Sequence, residues 1–359
     1  MYDVIIVGAG IAGSTVARSL DCNVLILEKN KKVLPKDSGI VSRKFVDHYG
    51  TKFVRHEITE MELVPPNGNS FFLRDEKPFA HILHRERLAK FCIREAKKHA
   101  DMRNETLVSM ENGESCVTVR TNKSEYQGRM LVGCDGATSS VRKLSGIPAP
   151  RLSIGMMIKE SGLKKGHIKT FFCKKYSPDF FSWVIPQSDE YGLMAGSGAM
   201  QCMKNFVYDM EFRPGKTYAY MIPTGMTKSF GNRCILVGDA CGQNKPLTGG
   251  GIVFSATGAG CAASVINDAV SRKRFDSKFL SQYEKSWKQE IAWEIRKQII
   301  VRNIYSRLSD DDVNSIFRKF GHHMERLRNF DYDKFSRSWV NMPKKDLLIF
   351  AFSNTWRLF

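Results

Sequence analysis

Val4-Ile5-Ile6-Val7-Gly8-Ala9-Gly10-Ile11-Ala12-Gly13 decides how the rest of the chain is read. A β-branched apolar run leads into a GxGxxG turn, and Ser14-Thr15-Val16-Ala17-Arg18-Ser19-Leu20 can continue as a helix. Val24-Leu25-Ile26-Leu27 is a second apolar run, closed by Glu28, which lies 20 residues after Gly8. Strand, glycine turn, helix, strand and acid in this order predict a dinucleotide-binding unit. Gly8 permits a tight turn, Gly10 lets a pyrophosphate reach the backbone, and Gly13 lets the helix pack close to the sheet. The helix N-terminus offers unpaired N–H groups and a positive dipole end to the phosphates. Glu28 stands where a carboxylate can accept hydrogen bonds from a ribose.

With 359 residues, 42% of them apolar, the chain has room for two domains or one large interleaved one. Its nine cysteines are scattered, with no CxxC pair and no histidine at metal-ligand spacing, so no metal site is predicted. The expected setting is a reducing cytosol with mostly free, buried cysteines. The glycine unit begins almost at residue 1, so no signal peptide is expected before it. The formal charge of +18 is read mainly as a lysine-rich solvated surface. Its sharper readings are an anionic membrane face and an anionic phosphate or diphosphate substrate. No nucleic-acid-binding signature occurs, so no nucleic-acid partner is expected. No unbroken apolar stretch reaches the roughly 18 residues that span a bilayer.

Further along, residues 43–75 read as strands leaving the nucleotide domain, with a hairpin turn at Pro65-Pro66-Asn67-Gly68-Asn69. A helix is predicted from Ile82 to about His99, with Leu88, Phe91, Cys92 and Ala96 near one face. Residues 106–132 are strand-like, turning at Asn112-Gly113. Asp135-Gly136-Ala137-Thr138-Ser139-Ser140-Val141-Arg142 predicts a turn followed by a helix capped by Ser139, with Arg142 tying the turn to the sheet. Residues 147–225 read as β-rich. Cys234-Ile235-Leu236-Val237-Gly238-Asp239-Ala240 is a buried strand ending in Gly-Asp. Lys245-Pro246-Leu247-Thr248-Gly249-Gly250-Gly251-Ile252 then opens a small-residue helix, exposing several N–H groups to an anion or a flat ring.

Together, Gly8 to Gly13, Asp135 to Arg142 and Gly238-Asp239-Ala240 resemble the GxGxxG, DGxxSxVR and GDA elements of FAD oxidoreductases of the p-hydroxybenzoate hydroxylase type. The match runs over about residues 1–270. Lys-Pro-Leu-Thr-Gly-Gly-Gly-Ile and Phe-Ser-Trp-Val-Ile-Pro (181–186) look like the geranylgeranyl reductase branch, which hydrogenates isoprenoid double bonds, including those of archaeal membrane phospholipids. The resemblance implies a mixed α/β fold. A Rossmann-type FAD-binding domain (1–45, 76–145 and 226–271) is interleaved with an antiparallel β-sheet substrate domain (46–75 and 146–225), followed by a helical C-terminal region (272–359).

The resemblance also assigns roles. Gly8, Gly10, Ala12 and Gly13 would meet the FAD pyrophosphate, and Glu28, with Lys29 beside it, the adenosine ribose. Ser38 and Ile40 would lie along the flavin ring, and Arg85 would contact the cofactor. Backbone at Leu107 and Val108 would flank adenine, and Asp239 would bond the ribityl chain or phosphates. Gly250, Gly251 and Ile252 would border the flavin pyrimidine. Phe181, Trp183 and Pro186 would line the lipid cavity, with Ile185 replacing a phenylalanine of the family pattern. The cysteine common in the family's CGxxVS-like element is absent from Asp37-Ser38-Gly39-Ile40-Val41-Ser42, so no redox role is assigned there.

An isolated alkene needs hydride and a proton together, so flavin N5 is the reactive atom and the protein supplies alignment and a dry cavity. No side chain is assigned as proton donor. NADPH and ferredoxin both stay open as electron donor. The expected partner is an isoprenoid lipid, and peripheral contact with the inner membrane face stays open for a cytoplasmic protein. The tail Lys344–Phe359, rich in cations and large apolar residues, would suit such contact. Competing readings are a flavin monooxygenase or halogenase of a small hydrophobic molecule and a flavin-bound lipid carrier.

Overall fold

The computed structural model describes residues 1–31, 38–213 and 215–334. The tail at 344–359 and the stretch Pro35-Lys36-Asp37 lie outside them. In chain order the elements are β1 (Tyr2–Val7), α1 (Ile11–Arg18), β2 (Val24–Leu27), β3 (Ile40–Ser42), α2 (Arg43–Tyr49), β4 (Val54–Ile58), β5 (Glu60–Val64), β6 (Phe71–Arg74) and β7 (Ala80–Leu83). There follow α3 (Arg85–Ala96), β8 (Asp101–Arg103), β9 (Leu107–Asn112), β10 (Val117–Thr121), β11 (Glu125–Gly133), α4 (Ser140–Leu144), β12 (Leu152–Lys159), β13 (Ile168–Phe171), β14 (Ser182–Ile185) and β15 (Glu190–Ala195). The last are α5 (Ala199–Asp209), β16 (Lys216–Pro223), β17 (Phe230–Gly231), β18 (Cys234–Leu236), α6 (Ile252–Arg272), α7 (Ser277–Trp287), α8 (Trp293–Arg307) and α9 (Asp310–Glu325).

The described residues fall into two compact units, 1–31, 84–152 and 223–295, and 38–83, 153–213, 215–222 and 296–334. The stretch from residue 272, expected as one helical region, is shared between them, with α7 in the first and α9 in the second.

The first unit is built on a sheet in which β1 runs parallel to β11 on one side and to β2 on the other. Beyond these lie β18, β17 and β8, and β10 and β9 extend β11 as an antiparallel meander. Val4–Val7 and Val24–Leu27 are buried throughout, the pattern of parallel strands covered on both faces. α1 packs on α6, which packs in turn on α7. By length and composition alone α6 could cross a membrane, but half of its apolar window is buried within the protein, the pattern of a core helix.

In the second unit a seven-stranded sheet runs β16-β12-β15-β14-β13-β5-β6, with β12–β15, β15–β14, β14–β13 and β5–β6 antiparallel and β13 parallel to β5. α5 buries Ala199, Met203 and Phe206 against Tyr191, Leu193 and Phe171 of that sheet. A three-stranded sheet orders β3-β7-β4. The turn at 65–69 joins β5 to β6 as a hairpin.

Three local readings change. Residues 43–49 are helical, not strand, because Phe45 and Tyr49 stack one turn apart at 4.7 Å while Phe45 fills the core. Ile82 and Leu83 end a strand, and the helix starts at Arg85. Ala80–Leu83 is buried throughout between two neighbours, a central strand that reads in sequence like the apolar start of a helix. The β-rich stretch also contains α5, whose apolar residues recur at helical spacing.

Candidate functional site

In the first unit the β1–α1 turn is held by contacts only glycine permits. Gly8 has φ +99°, and a Cβ there would lie 2.4 Å from the carbonyl oxygen of Cys134. A Cβ on Gly13 would lie 1.9 Å from Gly8 O. Both obstacles are backbone, so strand end, helix and the 133–136 turn can close together only with glycine at both positions. Gly10 differs: it caps α1 in an extended conformation, and a Cβ there would meet nothing within 4 Å. Protein packing does not require glycine at that position, and the space it leaves lies against the helix N-terminus.

Glu28 sits under the same turn. Its Oε2 accepts the Ala9 N–H at 2.9 Å and its Oε1 the Asn30 N–H at 2.8 Å. The carboxylate thus fixes the loop while keeping further lone pairs for a hydroxyl. Lys29 beside it is exposed. Arg85 opens α3 and is half-buried. At the start of β9, Leu107 is buried, whereas Val108 is 60% exposed, a large apolar side chain left uncovered.

The two other glycine-containing stretches converge on this turn. Asp135 accepts the Ser140 and Val141 N–H groups and the Ser139 hydroxyl, while Ser139 caps α4 by accepting the Arg142 N–H at 2.9 Å. The buried Arg142 guanidinium donates to Ala137 O (2.9 Å) and Ala240 O (2.8 Å). It therefore ties the Asp-Gly turn to the Gly-Asp-Ala turn, a more specific link than the expected one to the sheet. Gly238 has φ +73°, and a Cβ there would lie 3.2 Å from Ala12 Cβ of α1. Asp239 Oδ1 lies 3.0 Å from where a Cβ of Gly251 would be, and Lys245 Cε 2.9 Å from that of Gly250. Ile252 is the first residue of α6. Gly8, Gly13, Ala12, Asp239, Gly250 and Gly251 are thus brought into one region of the first unit.

Sequence reasoning missed the polar core beneath these turns. Gln243, fully buried, accepts the Gly238 N–H at 2.8 Å and donates to Tyr283 Oη at 2.8 Å, and Tyr283 donates to Leu236 O at 2.9 Å. Gly258 makes room for it, since a Cβ there would lie 2.1 Å from Gln243 Oε1. A glycine inside an alanine-rich helix was the available signal. Asn244 donates to Pro223 O at 2.8 Å, but its buried Oδ1 and the buried Thr224 hydroxyl have no hydrogen-bond partner among the described residues. Buried polar atoms rarely stay unpaired, so these two call for a partner beyond the described residues. An open space at Gly10, N–H donors at the N-termini of α1 and α6, an accepting carboxylate under the turn and the buried Asn244 and Thr224 oxygens form a set of donors and acceptors suited to a phosphate-bearing dinucleotide.

Ser38, Ile40, Phe181, Trp183 and Pro186 lie in the second unit. Ile40 opens β3, paired with Ile82. Phe181 contacts Phe180 at 5.0 Å, Phe172 at 6.2 Å and Trp183 at 6.1 Å between ring centroids. The Trp183 ring lies over Gly192, where a Cβ would come within 2.5 Å of it. The buried Trp183 Nε1 and Ser182 hydroxyl have no hydrogen-bond partner among the described residues. Pro186 begins the turn after β14. Tyr305 extends the aromatic cluster through Phe180 and Phe172, and the Lys174 ammonium sits 3.8 Å from its ring centroid. Lys174 also donates to Tyr305 O and Pro178 O, and burial, opposed by Asp310, Asp179 and Asp312, pushes its pKa down to about 8. Arg302 is nearly buried and donates to Asp179 at 3.0 Å and Ser153 at 3.1 Å. His322, exposed and beside Glu325, belongs to neither constellation.

No protein-family profile matches the chain. It is 27% identical over 350 residues to digeranylgeranylglycerophospholipid reductase 2 of Methanothermobacter thermautotrophicus, covering 88% of this chain and 91% of the relative. It is 25% identical over 364 residues to the digeranylgeranylglycerophospholipid reductase of Methanococcus vannielii, covering 91% and 92%. Its fold matches that of a geranylgeranyl bacteriochlorophyll reductase-like protein of Thermoplasma acidophilum, with TM-score 0.82, 18% identity and coverage of 97% and 99%. It also matches p-nitrophenol 4-monooxygenase of Pseudomonas putida, with TM-score 0.70, 16% identity and coverage of 98% and 97%. The chain has the fold of the flavin-dependent oxidoreductases and is, by sequence, a relative of the digeranylgeranylglycerophospholipid reductases.

Proposed function

We propose that the chain is an FAD-dependent reductase that saturates geranylgeranyl double bonds of a phosphorylated isoprenoid lipid or prenyl diphosphate. The observation that carries the reading is the meeting, in the first unit, of three turns distant in sequence at Gly8, Cys134 and Gly238, with the Cβ position of Gly10 left open. When bound, reduced FAD supplies hydride from N5. The chain's residues bind, orient and exclude water. Gly8, Gly10, Ala12 and Gly13 with the α1 N-terminus hold the pyrophosphate, and Glu28 with Lys29 beside it the ribose. Arg85 contacts the cofactor, and Leu107 and Val108 flank the adenine. Asp239 bonds the ribityl chain, and Gly250, Gly251 and Ile252 with the α6 N-terminus face the end of the ring that becomes negative on reduction. In the second unit Phe181, Trp183 and Pro186 line an apolar wall for the isoprenoid chain. The charge of +18 suits a phosphate or diphosphate head group and an anionic membrane face. An external donor, NADPH or a ferredoxin, renews the reduced cofactor.

Anaerobic mixing of the dithionite-reduced, FAD-loaded protein with geranylgeranyl lipid tests this. Flavin reoxidation with a mass gain of two hydrogens per double bond is expected. Reoxidation that waits for oxygen and yields a hydroxylated product would replace the reading with a monooxygenase.

A further inference from the structure

We propose that Lys245 is a positioning residue that sets the reduction potential of a flavin seated on Gly249-Gly250-Gly251. The inference rests on reading that glycine run as the flavin's seat. Lys245 is only 3% exposed, an uncommon degree of burial for lysine. Its backbone holds the run in place: its N–H donates to Gly250 O at 3.1 Å, and its carbonyl accepts the Gly249 N–H at 2.8 Å. The side chain then doubles back against the same turn. A Cβ on Gly250 would lie 2.9 Å from Lys245 Cε and 3.4 Å from its Nζ. Glycine at 250 therefore leaves room for the lysine stem and keeps the ammonium against the turn. α6 starts two residues later and adds the positive end of a 21-residue helix. Among the described residues, Asp239 also faces the run, against Gly251.

Two-electron reduction with uptake of one proton leaves one negative charge on the flavin ring. A cation already desolvated and held beside that ring stabilises the added charge more than water would, with no reorganisation at the moment of reduction. The reduced form gains relative to the oxidised one.

The test is the two-electron midpoint potential of bound FAD in the full-length protein, titrated with dithionite against a reference dye. Lys245→Met should shift the equilibrium about tenfold toward oxidised flavin, about 30 mV downward for a two-electron couple. Lys245→Arg, which keeps the charge, should stay close to the wild type. A wild-type potential in Lys245→Met overturns the proposal. Gly250→Ala covers a Lys245→Met protein that does not fold. Its Cβ displaces the lysine stem, so the potential should fall in the same direction, and an unchanged value again overturns the proposal. A wild-type protein that binds no FAD overturns the seat itself, and the proposal with it; FAD bound with an unchanged potential sinks the Lys245 role alone.

Discussion

Two glycines of the first turn should respond in different ways to a single methyl group. At Gly13 a Cβ would sit 1.9 Å from Gly8 O and 3.2 Å from Cys134 Cβ. Alanine favours a helix over glycine by about 1 kcal/mol. Overpacking a fixed site costs about 1–3 kcal/mol and occasionally more. A 1.9 Å approach to a backbone oxygen, which no rotamer change relieves, belongs at or above the top of that range. The clash therefore wins by about 2 kcal/mol, and at roughly 2–4 °C per kcal/mol the apoprotein of Gly13→Ala should melt about 4–8 °C lower. At Gly10 the backbone is ordinary, with φ −68°, and the Cβ position is clear to 4 Å. Replacing such a glycine by alanine stabilises by about 0.4–1 kcal/mol through the unfolded chain. Glycine is preferred to alanine at an N-cap, which offsets that gain, so Gly10→Ala apoprotein should melt close to the wild-type temperature. Its FAD affinity, measured by quenching of flavin fluorescence, should nevertheless fall by about ten- to a hundredfold, or 1.4–2.8 kcal/mol, because the methyl group occupies the pyrophosphate's path. Wild-type FAD affinity in Gly10→Ala would refute the placement of the pyrophosphate. An unchanged apoprotein melt in Gly13→Ala would refute the packing argument.

Arg142→Met should cost about 2–4 kcal/mol in denaturant unfolding, since it strips buried donors from Ala137 O and Ala240 O at roughly 1–3 kcal/mol per orphaned group, less what solvent and repacking recover. Gly258→Ala should destabilise by about 1–3 kcal/mol by displacing Gln243, and in a double-mutant cycle with Gln243→Ala the two losses should sum to less than their parts. Additive losses would show that the two residues do not share the site. Lys174 has its pKa pushed down to about 8 by burial, from an ordinary 10.5. Between these values the unfolded chain binds the proton that the folded protein has released, so stability must rise with pH. Wild-type stability minus that of Lys174→Met, from urea midpoints, should therefore increase from pH 8 toward 10, and a decrease would contradict the burial argument. Phe181→Ala should raise KM for a geranylgeranyl lipid while leaving FAD affinity unchanged; a parallel loss of FAD binding would move Phe181 out of the proposed apolar wall.

The sequence was most legible where a constraint is local and steric. Val4–Val7, the glycine turn, Val24–Leu27 and Glu28 stand in the structure as strand, turn, strand and turn-bound acid because each needs only near neighbours to be recognised. Arg142 was legible as a tie but not in its destination, because Ala240 lies 98 residues away. Gln243 was silent for the same reason: its role depends on Gly238, Tyr283 and the notch at Gly258 together. Ala80–Leu83 misled because complete burial removes the alternation that distinguishes a strand from a helix. The glycine motif itself hides a distinction that a sequence cannot make. Gly8 and Gly13 are glycine because the protein's own backbone fills the place of a side chain, and Gly250 and Gly251 because Lys245 and Asp239 crowd it. Gly10 has no such internal reason. Glycine there leaves the space at the α1 N-terminus open for the pyrophosphate that the proposed function places against it.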